Sequence, residues 1–153
     1  METPALIDER IAEYYENFNC ATTMIKIVSE LFGITICAQV LDSATGMHGA
    51  GKFQAQCGLV EGSLMFIGIM GRERSLADEM IVASCYNFAK QFQQHFGSLV
   101  CRDLRPQGFK PENPPHLCVE LEKAAVAFTA AYLQNIVTMQ DRTKAKPTIG
   151  EQR

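Results

Sequence analysis

Six cysteines occur in this chain, yet no two form a Cys-x-x-Cys pair. That excludes the thioredoxin-type redox motif, the Cys-x-x-Cys-His haem attachment site and the common zinc knuckles. Any thiol site has to be assembled from distant segments. An excess of positive charge is also lacking: 14 Lys and Arg stand against 17 Asp and Glu, a formal charge of −3. Nucleic-acid binding, which rests on a basic face, is therefore not expected. The longest apolar stretch, 59–70, contains Glu61 and is too short to cross a bilayer. Met1-Glu2-Thr3-Pro4 carries neither the basic flank nor the apolar core of a signal peptide. A cytoplasmic location follows as the expectation, with thiols reduced and no disulfide framework. Gly-x-Ser-x-Gly, His-Glu-x-x-His and a convincing carboxylate pair are all missing, as are repeats and low-complexity tracts.

What is present fits one domain over 1–140, with a polar tail over 141–153 that holds Pro147 and Gly150. The apolar periodicity is helical throughout. It predicts an all-α, single-domain bundle of about five to six helices, with a glycine-rich loop before a central buried helix. Leu6, Ile7, Ile11, Tyr14, Tyr15 and Phe18 mark a first helix ending near Asn17. Asn19 is placed to cap a second over 20–31, and Gly33 to stop it. A third over 35–44 competes with a short strand at the β-branched Ile34-Thr35-Ile36. The central helix is expected over 57–70. Its Gly58 and Gly62, four apart, share a face on which another backbone can approach closely. Ser75-Leu76-Ala77-Asp78 reads as a capping-box start for a long helix to Phe96, stopped by Gly97. A proline-rich connection over 102–115 leads to a last helix from about His116 to Gln140.

Four cysteines stand where these helices begin. Cys20 follows Asn19, Cys57 follows the loop over 46–51, Cys101 follows Gly97-Ser98, and Cys118 follows Pro114-Pro115. Helix N-termini favour negative charge, so thiolate character is expected for these four, and convergence in space for at least three of them. Cys37 and Cys85 fall on apolar stripes and read as core residues. His48 and His116 each lie near a candidate cysteine, as ligand, proton donor or surface residue. Glu61 is a proton-relay candidate or an ordinary helix glutamate, and His95 suits a helix C-terminus. Arg102 and Arg105, beside Cys101, suit either an anionic centre or solvent.

Gly46-x-x-x-x-Gly51-Lys52 approaches a phosphate-binding loop, but Phe53 occupies the position of the magnesium-binding hydroxyl. The better use of this loop is a close pass beside Cys57, with its N–H groups as donors to sulfide or another anion.

These residues resemble the C_GCAxxG_C_C family of redox-active proteins. The resemblance rests on Asn19-Cys20-Ala21, the loop over 46–51, Cys57-Gly58-Leu59-Val60-Glu61-Gly62, Phe96-Gly97-Ser98 with Cys101-Arg102-Asp103-Leu104, and Cys118. The chain departs from the pattern in three places. Gln56 replaces glycine, Gly58 replaces alanine, and the closing glycine falls one position late. The resemblance implies a small helical domain whose Cys20, Cys57, Cys101 and Cys118 are redox-active or ligate a cluster. A related domain stands beside haem groups in cytochromes that also hold an iron–sulfur centre.

Two functions follow. In the first, Cys57, Cys101 and Cys118, with or without Cys20, ligate an iron–sulfur cluster in an electron-transfer component or oxidoreductase served by a redox partner protein. A metal-free dithiol pair cycling through a disulfide is the variant. In the second, the chain is a non-catalytic structural or interaction module with a structural zinc or no metal, and the Gly58/Gly62 face serves a homodimer or another partner.

Overall fold

The computed structural model describes residues 3–114 and 117–145. Among them the chain is all-α, with helices α1 (Thr3–Tyr14), α2 (Cys20–Phe32), α3 (Ala38–Ser43), α4 (Gly49–Lys52), α5 (Gly58–Glu73), α6 (Asp78–Phe96), α7 (Cys101–Leu104) and α8 (Val119–Ala145). Five of these are long, and three single-turn or two-turn helices sit in the connections.

The punctuation residues act as expected around α2. Asn19 Oδ1 accepts the Thr22 N–H at 2.9 Å, and Gly33 closes the helix in the left-handed region at φ 64°. Gly97 likewise ends α6 at φ 90°. Ser75 does not cap α6. It adopts φ 58° in the turn that terminates α5, where Leu76 N–H returns to Gly71 O at 2.9 Å, and Ala77 precedes α6 without a side-chain bond. The 35–44 helix is shortened to α3, because Cys37 is extended and stands at its N-cap. Counted from an extended residue, the i, i+3, i+4 spacing places nothing on a helix face. Cys37 is consequently exposed rather than in the core.

α5 is the centre of the packing, against α2, α6 and α8, while α1 lies on α8 and α2. Phe66, Ile67 and Met70 from α5 meet Met24, Ile27 and Val28 from α2, Phe88 and Phe92 from α6, and Ala125, Val126 and Leu133 from α8. Phe88, Phe92, Phe96 and Phe128 stack edge-on or tilted, which orders the α6–α8 seam. Cys85 is half-buried on this core, as expected of a small hydrophobe. One polar pair is buried at the α5–α8 contact: Ser63 Oγ and Thr129 Oγ1 lie 3.0 Å apart, one hydroxyl donating to the other, which donates to the carbonyl four residues back.

The paired glycines decide how close α2 and α5 come. A Cβ on Gly62 would lie 2.5 Å from the Ala21 carbonyl oxygen and 3.0 Å from Met24 Cβ. This face is therefore occupied by α2 and does not supply a homodimer surface. At the other end, α8 continues through 141–145, where a flexible tail was expected. Arg74 anchors that turn through Gln140 Oε1 at 2.6 Å and Asp141 Oδ1 at 3.2 Å, and Arg142 and Lys144 complement its dipole. The remaining tail and His116 lie outside the described residues.

Candidate functional site

Two backbone segments bring the first pair of cysteines together. Gln56 and Val100 form an isolated antiparallel bridge. Around it, Cys57 N–H donates to Leu99 O at 2.8 Å and Cys101 N–H donates to Ala55 O at 2.7 Å. Each chain then turns into a helix: Cys57 is the N-cap of α5 and Cys101 the first residue of α7. Ser98 fixes the second turn, its hydroxyl donating to Asp103 Oδ2 at 2.6 Å and accepting the Val100 N–H at 3.0 Å.

Cys20 arrives from α2. Asn19 ties the start of that helix to the 44–45 turn, its Nδ2 donating to the Ala44 and Thr45 carbonyls at 2.9 and 2.7 Å. Cys20 Sγ then lies directly over Gly58, where a Cβ would clash with it and stand 2.5 Å from Met47 O. Cys118 comes from the connection before α8, and Arg105 Nη1 donates to its Sγ at 3.4 Å.

All four cysteines line one cavity of about 210 Å³. Its other walls are mainly apolar: Tyr15, Phe18, Leu59, Leu104, Phe109, Leu117, Val119 and Leu121. Arg105, His48 and Glu122 are its charged or titratable members besides the thiols and Tyr15. Neither Arg102 nor Glu61 lines it. Arg102 is exposed, and Glu61 is half-buried on α5 with its carboxyl raised by burial. His95 stacks on Phe96 and Phe128, away from the thiols.

Burial favours the neutral thiol at Cys20, Cys57 and Cys101. Burial pushes Cys57 up to about 11, against a downward pull from the Leu59 and Val60 amides at the start of α5. Cys20 is raised further, first by burial, then by Cys57, Glu122, Cys118 and Cys101. Cys20 as a residue is only half-buried, but its sulfur points inward onto buried Gly58, so burial dominates there. Cys101 is raised by burial and by Cys118, and lowered by Arg105. At Cys57 the start of α5 thus opposes desolvation without overcoming it.

The glycine-rich loop serves the site as a wall. Its irregular turn runs through positive φ at Gly49, Ala50, Gly51, Lys52 and Gln54. Gly49 is buried against Cys101, where a Cβ would lie 3.1 Å from the sulfur. The N–H groups of Gly51, Lys52, Phe53 and Ala55 are spent on carbonyls within the loop. They do not form the anion-binding nest expected of them.

Glu122 is the residue that the sequence reading missed. It is 9% exposed, and its Oε2 is buried without a hydrogen-bond partner among the described residues, as is Nδ1 of His48 on another wall of the cavity. Burial raises the Glu122 carboxyl, while Arg105 pulls it down. A signal was present: Glu122 lies four residues after Cys118, a spacing that shares a helix face.

The donor set consists of soft sulfur ligands, suited to iron–sulfur or other thiophilic centres. Among the described residues, however, no group of three or more His, Cys, Asp and Glu side chains is placed to hold a metal ion.

Fold and site together define an all-helical protein built around a multi-cysteine cavity. A family model described as "Putative redox-active protein (C_GCAxxG_C_C)" matches residues 18–132, and the chain belongs to that family. Neither the curated proteins nor the solved structures gave a match. Among the described residues, no helix is long and apolar enough to cross a membrane.

Proposed function

We propose that Cys20, Cys57, Cys101 and Cys118 ligate an iron–sulfur cluster, and that the protein is an electron-transfer component or oxidoreductase working with a redox partner protein. The observation that carries this reading is the cavity itself: four cysteines from four segments line it. A bound cluster supplies reversible electron storage. The chain's own residues do the rest. On ligation the four thiols would give up their protons, against the burial and then the neighbouring negative charge that raise Cys20. Leu59, Leu104, Leu121 and Phe109 limit the access of water, and Arg105 offsets negative charge at the sulfurs. A structural zinc would draw on the same thiolates in a tetrahedral site. The dithiol variant draws support from a different observation, the guanidinium donor on Cys118.

The test is anaerobic reconstitution with iron and sulfide. Wild-type protein is expected to turn brown with near-stoichiometric iron and acid-labile sulfide. Cys57→Ser is expected to lose the cluster. Cys85→Ser, whose sulfur only approaches Leu64 O at 4.0 Å, should bind it normally at some cost in stability. Colourless protein with one tightly held zinc, or equal losses in both variants, would overturn the proposal.

A further inference from the structure

Helix α6 divides its side chains between two opposite faces. Phe88 and Phe92 are fully buried in the core, with Cys85 half-buried beside them. The stripe on the other side runs through Glu79, Val82, Ala83, Tyr86 and Lys90, and all five are exposed. Val82 is 67% exposed and Tyr86 70% exposed. With Met80 they make three of the seven large hydrophobic side chains exposed among the described residues, gathered on one helix. Two large apolar groups one turn apart at the centre of a polar stripe form a seam for another surface.

The charges on the stripe select what covers it. Glu79 stands near the start and Lys90 roughly three turns further on, and neither enters an ion pair among the described residues. Two copies of α6 laid parallel would set Glu79 against Glu79 and Lys90 against Lys90. Laid antiparallel about a two-fold axis near Ser84, they set Val82 of each copy against Tyr86 of the other. In that register Lys90 of each copy lies opposite the acidic first turn, Asp78 and Glu79, of the other. The helix dipoles then oppose one another as well, with each C-terminus beside an N-terminus. A receiving surface adjoins the seam: Met65 and Ile69 of α5, with Ile81 and Val82 of α6, line a shallow groove beside the position that Tyr86 of the second copy reaches.

We infer that this chain forms a two-fold dimer by antiparallel packing of α6 on α6, with Tyr86 of each copy beside Val82 of the other and Glu79 paired with Lys90 across the axis. The seam is complementary to itself in apolar groups, in charge and in dipole, which is what an isologous interface between identical chains requires. It takes the place of the Gly58/Gly62 face, which α2 occupies. No residue of α6 lines the cysteine cavity, so the dimer and the cluster stand or fall separately.

The experiment is sedimentation equilibrium of the full-length chain. Reducing conditions keep exposed Cys37 from cross-linking copies, and low ionic strength leaves the charges unscreened. The wild type is expected to show a monomer–dimer equilibrium. Tyr86→Glu should raise its dissociation constant about tenfold or more, at unchanged helix content by circular dichroism. Glu79→Lys and Lys90→Glu should each weaken the dimer about fivefold, because each sets like charges against one another on both sides of the axis. Mixed in equal amounts, these two variants should recover the wild-type affinity, since every contact in the mixed dimer again joins opposite charges. That recovery requires the antiparallel register, and damage to either monomer cannot imitate it.

A wild type that sediments as a monomer at every concentration would overturn the inference. A dimer indifferent to Tyr86→Glu would do the same, because it would be held by another surface. So would a mixture of the two charge variants that associates no more tightly than each variant alone.

Discussion

Replacing Gly62 by Ala should destabilise the protein by about 3 kcal/mol, the upper end of what overpacking a core usually costs. The added methyl would meet the Ala21 carbonyl oxygen at 2.5 Å, and a backbone atom inside α2 cannot step aside as the end of a long side chain can. The two helices have to separate, and the α2–α5 seam runs straight into the thiol cavity. Gly58→Ala applies the same wedge one turn earlier, against Met47 O and Cys20 Sγ. It should therefore lose stability and also disturb the reactivity of Cys20. Gly68, on the same helix with nothing within 4 Å of its notional Cβ, is the control. Gly68→Ala should stabilise by up to about 1 kcal/mol, because alanine is the better helix residue. Urea unfolding of the three variants decides the matter. Equal effects at Gly62 and Gly68 would mean that helix propensity, and not close approach, governs this face.

Much of this seam was legible in the amino-acid sequence. Asn19 and Gly33 delimit α2 because their reasons are local: an amide side chain that accepts a backbone N–H, and a residue at ease at positive φ. The four thiols could be placed at helix starts on the same grounds, since turn residues precede each. Their meeting in one cavity is another matter. It depends on the bridge between Gln56 and Val100, and on Gly58 letting Cys20 sulfur lie flat on α5. Neither leaves a periodic trace.

The misreadings have equally specific causes. Cys37 was assigned to a helical stripe, but it is extended, so its spacing carried no information. Ser75 looked like a cap for α6 because the motif is defined by composition, whereas here it serves the exit from α5. Glu122 belongs to none of the motifs read from the sequence. Only tertiary structure shows its carboxylate turned inward beside four sulfurs.

The buried thiols of Cys57 and Cys20 should make the metal-free, reduced protein lose stability as the pH rises. In the unfolded chain each thiol ionises near 9.0, whereas folded Cys57 keeps its proton to about 11, and Cys20 is shifted in the same direction, with burial the leading cause for both. Between those limits the folded state holds protons that the unfolded state has released. Folding is thus favoured in full below the unfolded value, and the contribution disappears as the pH climbs through the folded one. For Cys57 alone the loss amounts to roughly 1–2 kcal/mol by about pH 10. Cys20 adds to it with the same sign. Glu122 contributes a similar but separate decline at lower pH, beginning near 4.5, because its carboxyl too is raised by burial. Urea unfolding between about pH 7.5 and pH 10 should show the alkaline fall in the wild type. Cys57→Ser, which cannot ionise, should show a shallower one. Parallel slopes for the two proteins would mean that Cys57 ionises in the folded state as it does in water, and that the cavity does not hold its thiols neutral.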